Sequence, residues 1–418
     1  MGRLLVEGGV PLHGTVSVSG SKNAALPILA ATVLLNGEAE LTNIPNVTDI
    51  VTMVRVLRAL GLRVEYLPGK FIRTWGGRPI KSVAPFELVT KMRASFFVAG
   101  PILTRTGLAR VPLPGGCSIG TRPVDIHLKG FAAMGADIHM EHGIVFMQAK
   151  ELRGTRIYFD FPSVGATENI MMAATLAKGV TIIENAACEP EVSDLAYFLV
   201  ACGARISGIG TPVITIEGVN ELRGSAYRII PDRIEAGTLL LAAAITHGEV
   251  TIQDMNIPHN AALLEKLQDA GVKSTVHDAT SISIHPNGVV KAINLETQPF
   301  PGFATDLQAP MMAFLSLCQG TSVIRENIFE NRFQHSQELG RMGAQIQVDL
   351  STAIISGVPR LSGAPVKATD LRAGAALLIA SLAAEGLTEL RGTRHLYRGY
   401  ENIYEKLTRL GARLKPLE

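Results

Sequence analysis

The stretch Ala373-Gly374-Ala375-Ala376-Leu377-Leu378-Ile379-Ala380-Ser381-Leu382-Ala383-Ala384 reads as a helix with almost no polar face, and Glu385-Gly386 ends it. A helix that is apolar nearly all round has to be buried on every side. Five more segments have the same character: Ala25 to Leu35, Ala94 to Leu103, Ile170 to Ala177, Ala236 to Ile245 and Met311 to Leu317. Each ends at a glycine, and the series Gly37, Gly107, Gly179, Gly248, Gly320 and Gly386 has gaps of 70, 72, 69, 72 and 66 residues. β-rich runs such as Val180 to Ile183 and Val250 to Ile252 follow.

A second series keeps step with the first. Leu60-Gly61, Met134-Gly135, Cys202-Gly203, Ala270-Gly271, Met342-Gly343 and Leu410-Gly411 are spaced by 74, 68, 68, 72 and 68 residues. Each closes an amphipathic helix, such as Tyr404 to Leu410, and leads into a strand-like segment, such as Ala136 to Met140. Two glycine series holding phase over six cycles mark an internal repeat rather than a chance rhythm. Units of about 70 residues are too large for a simple solenoid. The pattern predicts an α/β (α+β) protein with two domains of three similar units, helices inside and sheets outside.

The totals fit that size. A chain of 418 residues is long enough for two cores. With 47% hydrophobic and 18% charged residues it is neither disordered nor fibrous. A formal net charge of +2 gives no global field for nucleic acid or an acidic membrane. The opening Met1 to Gly9 lacks the apolar region of a signal peptide. Apolar runs reach only about 12 residues, against about 20 for a membrane span. Cysteines at 117, 188, 202 and 318 show no C-x-x-C spacing, so neither a zinc site nor a disulfide framework is expected, and a reducing cytoplasm fits. The ten histidines form no metal-ligand pattern.

Charged residues recur where the apolar helices begin. Lys22 and Arg233 lie 15 residues before their glycines, and Arg93, Asp306 and Arg372 lie 14 before theirs; the third unit has Ser163, Gly165 and Thr167 instead. A helix N-terminus offers unpaired N–H groups to an anion. At any one position ordinary capping is the simpler reading; the set favours an anion-binding cleft. Arg332 and Arg398 each lie 12 residues after the helix-ending glycine, and Cys117 lies 10 after its own. Cys117 sits in a glycine-rich basic loop, Pro114 to Arg122, whose Gly115, Gly116 and Gly120 suit a segment that closes over substrate.

Several of these segments resemble the UDP-N-acetylglucosamine 1-carboxyvinyltransferase family of enolpyruvyl transferases. They are Ser19 to Pro27, Gly115 to Asp125, Ser163 to Asn169, Pro231 to Gly237, Thr305 to Gln308, Phe329 to Phe333 and Asp370 to Ala373, and the resemblance runs over essentially the whole chain. It implies two inside-out α/β barrel domains, residues 1–20 with 231–418 and residues 21–230. The first would carry Asp306, Arg332, Asp370, Arg372 and Arg398, and the second Arg93 and the Cys117 loop.

The implied reaction moves the enolpyruvyl group of phosphoenolpyruvate to the 3-hydroxyl of UDP-N-acetylglucosamine and releases phosphate. Addition followed by elimination needs an acid for carbon, a base for the hydroxyl and cations for phosphate and carboxylate; it calls for no cofactor. By resemblance, Cys117 is the proton donor and the site of a covalent adduct, with Arg110, Arg122 and Lys129 near in sequence to lower its pKa. A thiolate reacts well but cannot donate a proton, so both roles stay open. Asp306 matches the base. Lys22, Arg122 and Arg398 match the phosphate and carboxylate ligands. Asn23, Arg93, the run Arg122, Pro123, Val124, Asp125 and Ile126, the run Phe161, Pro162, Ser163 and Val164, and Ile328 match contacts to the nucleotide sugar. Asp370, Arg372 and Arg332 match residues around the reacting centre. Tyr397, where an aspartate is expected, and the unusual Ala304 and Pro310 depart from the family pattern. The rivals are a shikimate 3-phosphate enolpyruvyl transferase and a non-catalytic nucleotide-sugar-binding paralogue.

Overall fold

A computed structural model describes residues 2–77, 79–115, 124–286 and 288–417. Cys117, Arg122 and Pro123 lie outside the described residues. The six apolar segments are helices, and they are buried as their composition demands. In the Arg233–Ile245 helix every residue after Arg233 is buried; in Leu371–Ala383 the run from Arg372 to Leu382 is buried. Full burial of each Leu or Ile there contributes about 1.5–3 kcal/mol. Truncating one to alanine would cost about 2–5 kcal/mol, because the packed surroundings cannot close the gap.

The glycines act as the repeat requires. All six of the amphipathic-helix series adopt a left-handed φ, from 90° to 106°. Five of the other six do so too; in the fourth repeat His247 takes the left-handed position (φ 51°) and Gly248 does not. The expectation of a strict glycine signal fails there because His, like Asn, tolerates that region at modest cost.

Each repeat builds one small sheet on the same plan. A short strand runs parallel to the strand that leaves the buried helix, and two antiparallel strands follow. The third repeat shows it plainly: Arg156–Tyr158 pairs in parallel with Val180–Glu184, which pairs with Val213–Glu217 and then Arg205–Ser207. The strand after the buried helix alternates strictly. Glu249–Gln253 buries Val250 and Ile252, and Leu387–Arg391 buries Thr388 and Leu390, while their neighbours face outward. One apolar face per sheet therefore packs on the helices and one meets solvent. Among the described residues five sheets have four strands; the second repeat has three, extended by a bridge from Val83 to Arg110.

Two departures from the plan organise the chain. In the sixth repeat the third strand is Arg3–Glu7, antiparallel to both Leu387–Arg391 and Arg413–Leu417. Two short strands are also exchanged. His13–Ser17 precedes the Lys22–Ala31 helix but pairs with Glu249–Gln253. Ala226–Arg228 precedes the Arg233–Ile245 helix but pairs with Glu38–Thr42.

The chain accordingly divides into two compact units, residues 2–19 with 231–417, and residues 20–115 with 124–230. In the first, the Leu371–Ala383 helix packs on both Arg233–Ile245 and Gln308–Leu315. In the second, the Arg93–Val98 turn packs on both Lys22–Ala31 and Val164–Ala174. No helix among the described residues is long and apolar enough to cross a membrane.

Candidate active site

In the first unit three sequence candidates meet at one carboxylate. Asp306 lies in a single 3-10 turn, Thr305–Leu307, ahead of the Gln308–Leu315 helix. An α-helix begun at Thr305 would ask Pro310 for an N–H to the Asp306 carbonyl, and proline has none. The Asp306 side chain does not cap that turn. Its Oδ1 accepts from Arg332 Nη2 at 2.5 Å, and its Oδ2 accepts from Arg372 Nη2 at 2.6 Å. The two arginine side chains are 4% and 7% exposed, and that of Asp306 is 25% exposed.

Arg372 is fixed further. Its Nη1 donates to the Tyr400 hydroxyl at 3.1 Å, and that hydroxyl lies 3.0 Å from Thr238 Oγ1 on the neighbouring central helix. Burial works against the Arg372 charge, but the Asp306 carboxylate outweighs it and raises the pKa. Arg332 lies 5.5 Å over the Phe329 ring, and its buried Nε has no hydrogen-bond partner in the chain. Two guanidinium bonds favour the ionised form of Asp306 and hold it in one orientation.

The other candidates of this unit play distinct local parts. Asp370 caps the Leu371–Ala383 helix, accepting from the N–H groups of Arg372 at 2.8 Å and Ala373 at 3.1 Å. Arg398 is the half-buried last residue of the Thr393–Arg398 turn. The positive field there is felt by His395, whose pKa is lowered first by burial and then by Arg394 and Arg398. Tyr397 turns its ring against Tyr404, centroids 5.3 Å apart. Ile328 is half-buried, and its N–H donates to Glu326 Oε1 at 2.9 Å. Arg233 stands 5.7 Å from the Phe300 ring.

In the second unit Lys22 opens its central helix, and Ser21 Oγ caps it by accepting from Ala24 N at 3.3 Å. Lys22 is 9% exposed, and its Nζ donates to Asp49 Oδ2 at 3.3 Å. Asn23 and Arg93 are half-buried. Phe161 is exposed, while Pro162, Ser163 and Val164 are half-buried at the start of the third central helix. Ser163 Oγ caps that helix through Ala166 N at 3.3 Å. Val124 is buried, and Asp125 and Ile126 begin the Asp125–Ala133 helix.

His127 lies beneath these residues. Burial and then Arg93 push its pKa down to about 3, so it is a neutral ring, 3.2 Å from Asn169 Nδ2. Gly165 leaves it room: a Cβ there would sit 3.2 Å from His127 Cε1. That close approach accounts for a glycine where other repeats carry charge.

Sequence reasoning missed Asp49, Thr238, Glu326 and Tyr400. Thr238 was detectable as a lone hydroxyl within an apolar helix; nothing in the sequence paired it with Tyr400, 162 positions away. Cys202 and Cys318 are buried, with thiols pushed up to about 12 by desolvation.

Comparison with known proteins places this arrangement. The model of the family described as EPSP synthase (3-phosphoshikimate 1-carboxyvinyltransferase) matches residues 6–407. A UDP-N-acetylglucosamine 1-carboxyvinyltransferase 2 of Carboxydothermus hydrogenoformans is 52% identical over 416 residues, 99% of each chain. A UDP-N-acetylglucosamine 1-carboxyvinyltransferase of Parasynechococcus marenigrum is 53% identical over 417 residues, covering 99% of this chain and 96% of the other. The crystal structure of the enolpyruvyl transferase NikO from Streptomyces tendae superposes with a TM-score of 0.90 at 25% identity, over 99% of both chains. An EPSP synthase structure from Acinetobacter baumannii shares the fold alone, with a TM-score of 0.78 at 18% identity over the full length of both chains.

Proposed function

We infer the reaction from one premise: the chain belongs to the UDP-N-acetylglucosamine 1-carboxyvinyltransferases, within the wider EPSP synthase family. It is a transferase that moves the enolpyruvyl group of phosphoenolpyruvate to the 3-hydroxyl of UDP-N-acetylglucosamine and releases phosphate, the first committed step of peptidoglycan synthesis. End-to-end identity above 50% to proteins of that name carries the choice over the shikimate 3-phosphate rival. The intact Asp306–Arg332–Arg372 cluster supports a working enzyme over a non-catalytic paralogue. Substrates this charged are made and used inside the cell, which supports a cytoplasmic site of action.

The residues divide the chemistry as follows. A proton added to the methylene carbon of phosphoenolpyruvate leaves a cationic C2. Asp306 takes the proton of the sugar 3-hydroxyl as its oxygen attacks C2. Loss of a proton from the new methyl group and departure of phosphate then restore the double bond. Lys22, Arg122 and Arg398 hold phosphate and carboxylate, with Arg's planar fork suited to both. Cys117 supplies the proton to carbon or holds phosphoenolpyruvate covalently. Asn23, Arg93, Arg122 to Ile126, Phe161 to Val164 and Ile328 bind the nucleotide sugar, while Asp370 and Arg332 keep the cluster in place. Arg372 and Arg332 fix which Asp306 lone pair is left for the hydroxyl.

The test is phosphate release. Release that needs both phosphoenolpyruvate and UDP-N-acetylglucosamine supports the reading. Release with shikimate 3-phosphate in place of the sugar nucleotide, or none with either, overturns it.

A further inference from the structure

One buried carboxylate ties together the two segments that carry Asp306 and Ile328. Glu326 is 3% exposed and follows the Thr321–Arg325 strand. Its Oε1 accepts from Thr297 Oγ1 at 2.9 Å, Thr305 Oγ1 at 3.1 Å, Ile328 N at 2.9 Å and Phe329 N at 3.1 Å. Its Oε2 accepts from Thr305 Oγ1 at 3.0 Å. Thr297 in turn accepts from Asn327, through its Oγ1 at 2.9 Å and its carbonyl at 3.2 Å. Hydroxyl and amide donors thus satisfy a carboxylate in the interior, through bonds stronger than those between neutral groups.

The connections close a ring. Thr305 adjoins Asp306; Asp306 accepts from Arg332; Arg332 lies over the Phe329 ring; and Phe329 N returns to Glu326. Ile328 is the next residue on that return path. A carboxylate in this place is a costly way to gain stability alone, since an apolar filler of similar volume serves as well or better. What it does uniquely is accept at once from a turn and from a loop that have no other shared hydrogen-bond partner, and so set their separation. We propose that Glu326 is a positioning residue, which fixes the Asp306 carboxylate relative to the Ile328 segment and thereby to the hydroxyl it deprotonates. This rests on Asp306 being the base and Ile328 a contact to the nucleotide sugar.

The experiment compares Glu326→Gln, Glu326→Ala and Thr305→Val with the parent enzyme and with Asp306→Asn. It measures kcat, the KM for UDP-N-acetylglucosamine and the thermal midpoint. Glutamine keeps the Oε1 acceptor for Ile328 and Phe329 and turns an amide N–H₂ to the Thr305 hydroxyl, which can accept from it. Glu326→Gln should therefore hold KM within about twofold and lower kcat by up to about tenfold. Thr305→Val cuts only the turn-side link, so kcat should fall about tenfold with KM unchanged. Glu326→Ala cuts both, and kcat should fall about 100-fold, the scale of an ångström of misplacement, with a rise in KM.

Parent-like kcat in Thr305→Val and in either Glu326 variant overturns the proposal. So does a glutamine variant as damaged as the alanine one in both kcat and midpoint. If the alanine variant does not fold, the other two decide. Full turnover by Asp306→Asn would sink the base assignment and this proposal with it. An inactive Asp306→Asn beside normal Glu326 and Thr305 variants sinks this proposal alone.

Discussion

Removing the charge of Asp306 should cost stability and turnover separately, and a second substitution should return only the first. Asp306 neutralises two guanidinium groups that are 4% and 7% exposed. Breaking a buried ion pair by deleting one partner costs about 3–5 kcal/mol, because the other charge is left uncompensated. In Asp306→Asn the amide oxygen still accepts from one arginine, and the site's partial exposure admits water. The lower end, about 3 kcal/mol, is therefore expected. For a unit of some 200 residues that corresponds to a midpoint lowered by about 6–12 °C.

Adding Arg372→Met removes one of the stranded cations and keeps an unbranched stem in its place. Tyr400 retains Thr238 as a hydrogen-bond partner. The double variant should recover at least half of the lost midpoint. Its turnover should stay down by about 10²–10⁴-fold, the range for a missing general base. Calorimetry and phosphate release on the four members of the cycle test this. An Asp306→Asn variant with an unchanged midpoint would refute the electrostatic part. A double variant that regains turnover would refute the role of Asp306 as base.

Thiol reactivity should divide sharply: with iodoacetamide at pH 8, mass mapping of the folded enzyme should find Cys202 and Cys318 unlabelled, as burial holds both thiols at about 12. Loss of activity should track label at Cys117, and Cys117→Ser should lower turnover sharply; an unaffected rate removes that thiol from the mechanism. Asp194 is pushed up from 3.8 to about 6, chiefly by desolvation, with bonds from Tyr227 and Ile230 opposing. Its protonated form is favoured by folding, so its contribution is full below about pH 3.8 and is lost as pH rises through about 6. The loss is about 3 kcal/mol. Asp194→Asn should flatten the fall of the midpoint between pH 4 and 6, and an unchanged slope in that window would reject the assignment. Gly218→Ala should be far more damaging than Gly203→Ala. A Cβ at 218 would lie 1.6 Å from the Ala177 carbonyl oxygen, whereas one at 203 meets nothing within 4 Å and carries only the strain of φ 102°. Equal midpoints for the two would contradict the packing.

What could be read from the sequence was what is local. Glycines that end helices announce themselves because handedness is a property of single residues, and both series emerged on that ground alone. Gly76, Gly218 and Gly357 form a further repeating set, each where the end of a strand abuts a helix-end carbonyl: Cβ atoms there would lie 1.6–1.9 Å from the oxygens of Leu35, Ala177 and Cys318. That set went unseen because close approach is a tertiary fact. The strand exchange has the same status. Nothing in the residues of His13–Ser17 chooses Glu249–Gln253 over the strand that follows its own helix. Arg332, Arg372 and Asp306 were each marked, but side chains 26 and 66 positions apart carry no sign that they converge.

The helix starts show why the base is where it is. Four of the six central helices are capped by a side chain: Ser21, Ser163, Asp232 and Asp370. In those repeats the polar residue is occupied by backbone N–H groups, as capping predicts. The second and fifth repeats differ. Each enters its helix through a 3-10 turn with no side-chain cap, Arg93–Val98 and Thr305–Leu307, and each has a proline in the first turns, Pro101 and Pro310. A proline there removes the N–H that an earlier α-helical start would require. The residue 14 positions before the glycine, Arg93 or Asp306, is thereby released from capping. Asp232 and Asp370 have the same side chain as Asp306, but their oxygens are committed to the backbone. Asp306 faces two arginines instead and keeps a quarter of its surface open. Pro310, which looked like a departure from pattern, is what frees the carboxylate to act on a substrate hydroxyl.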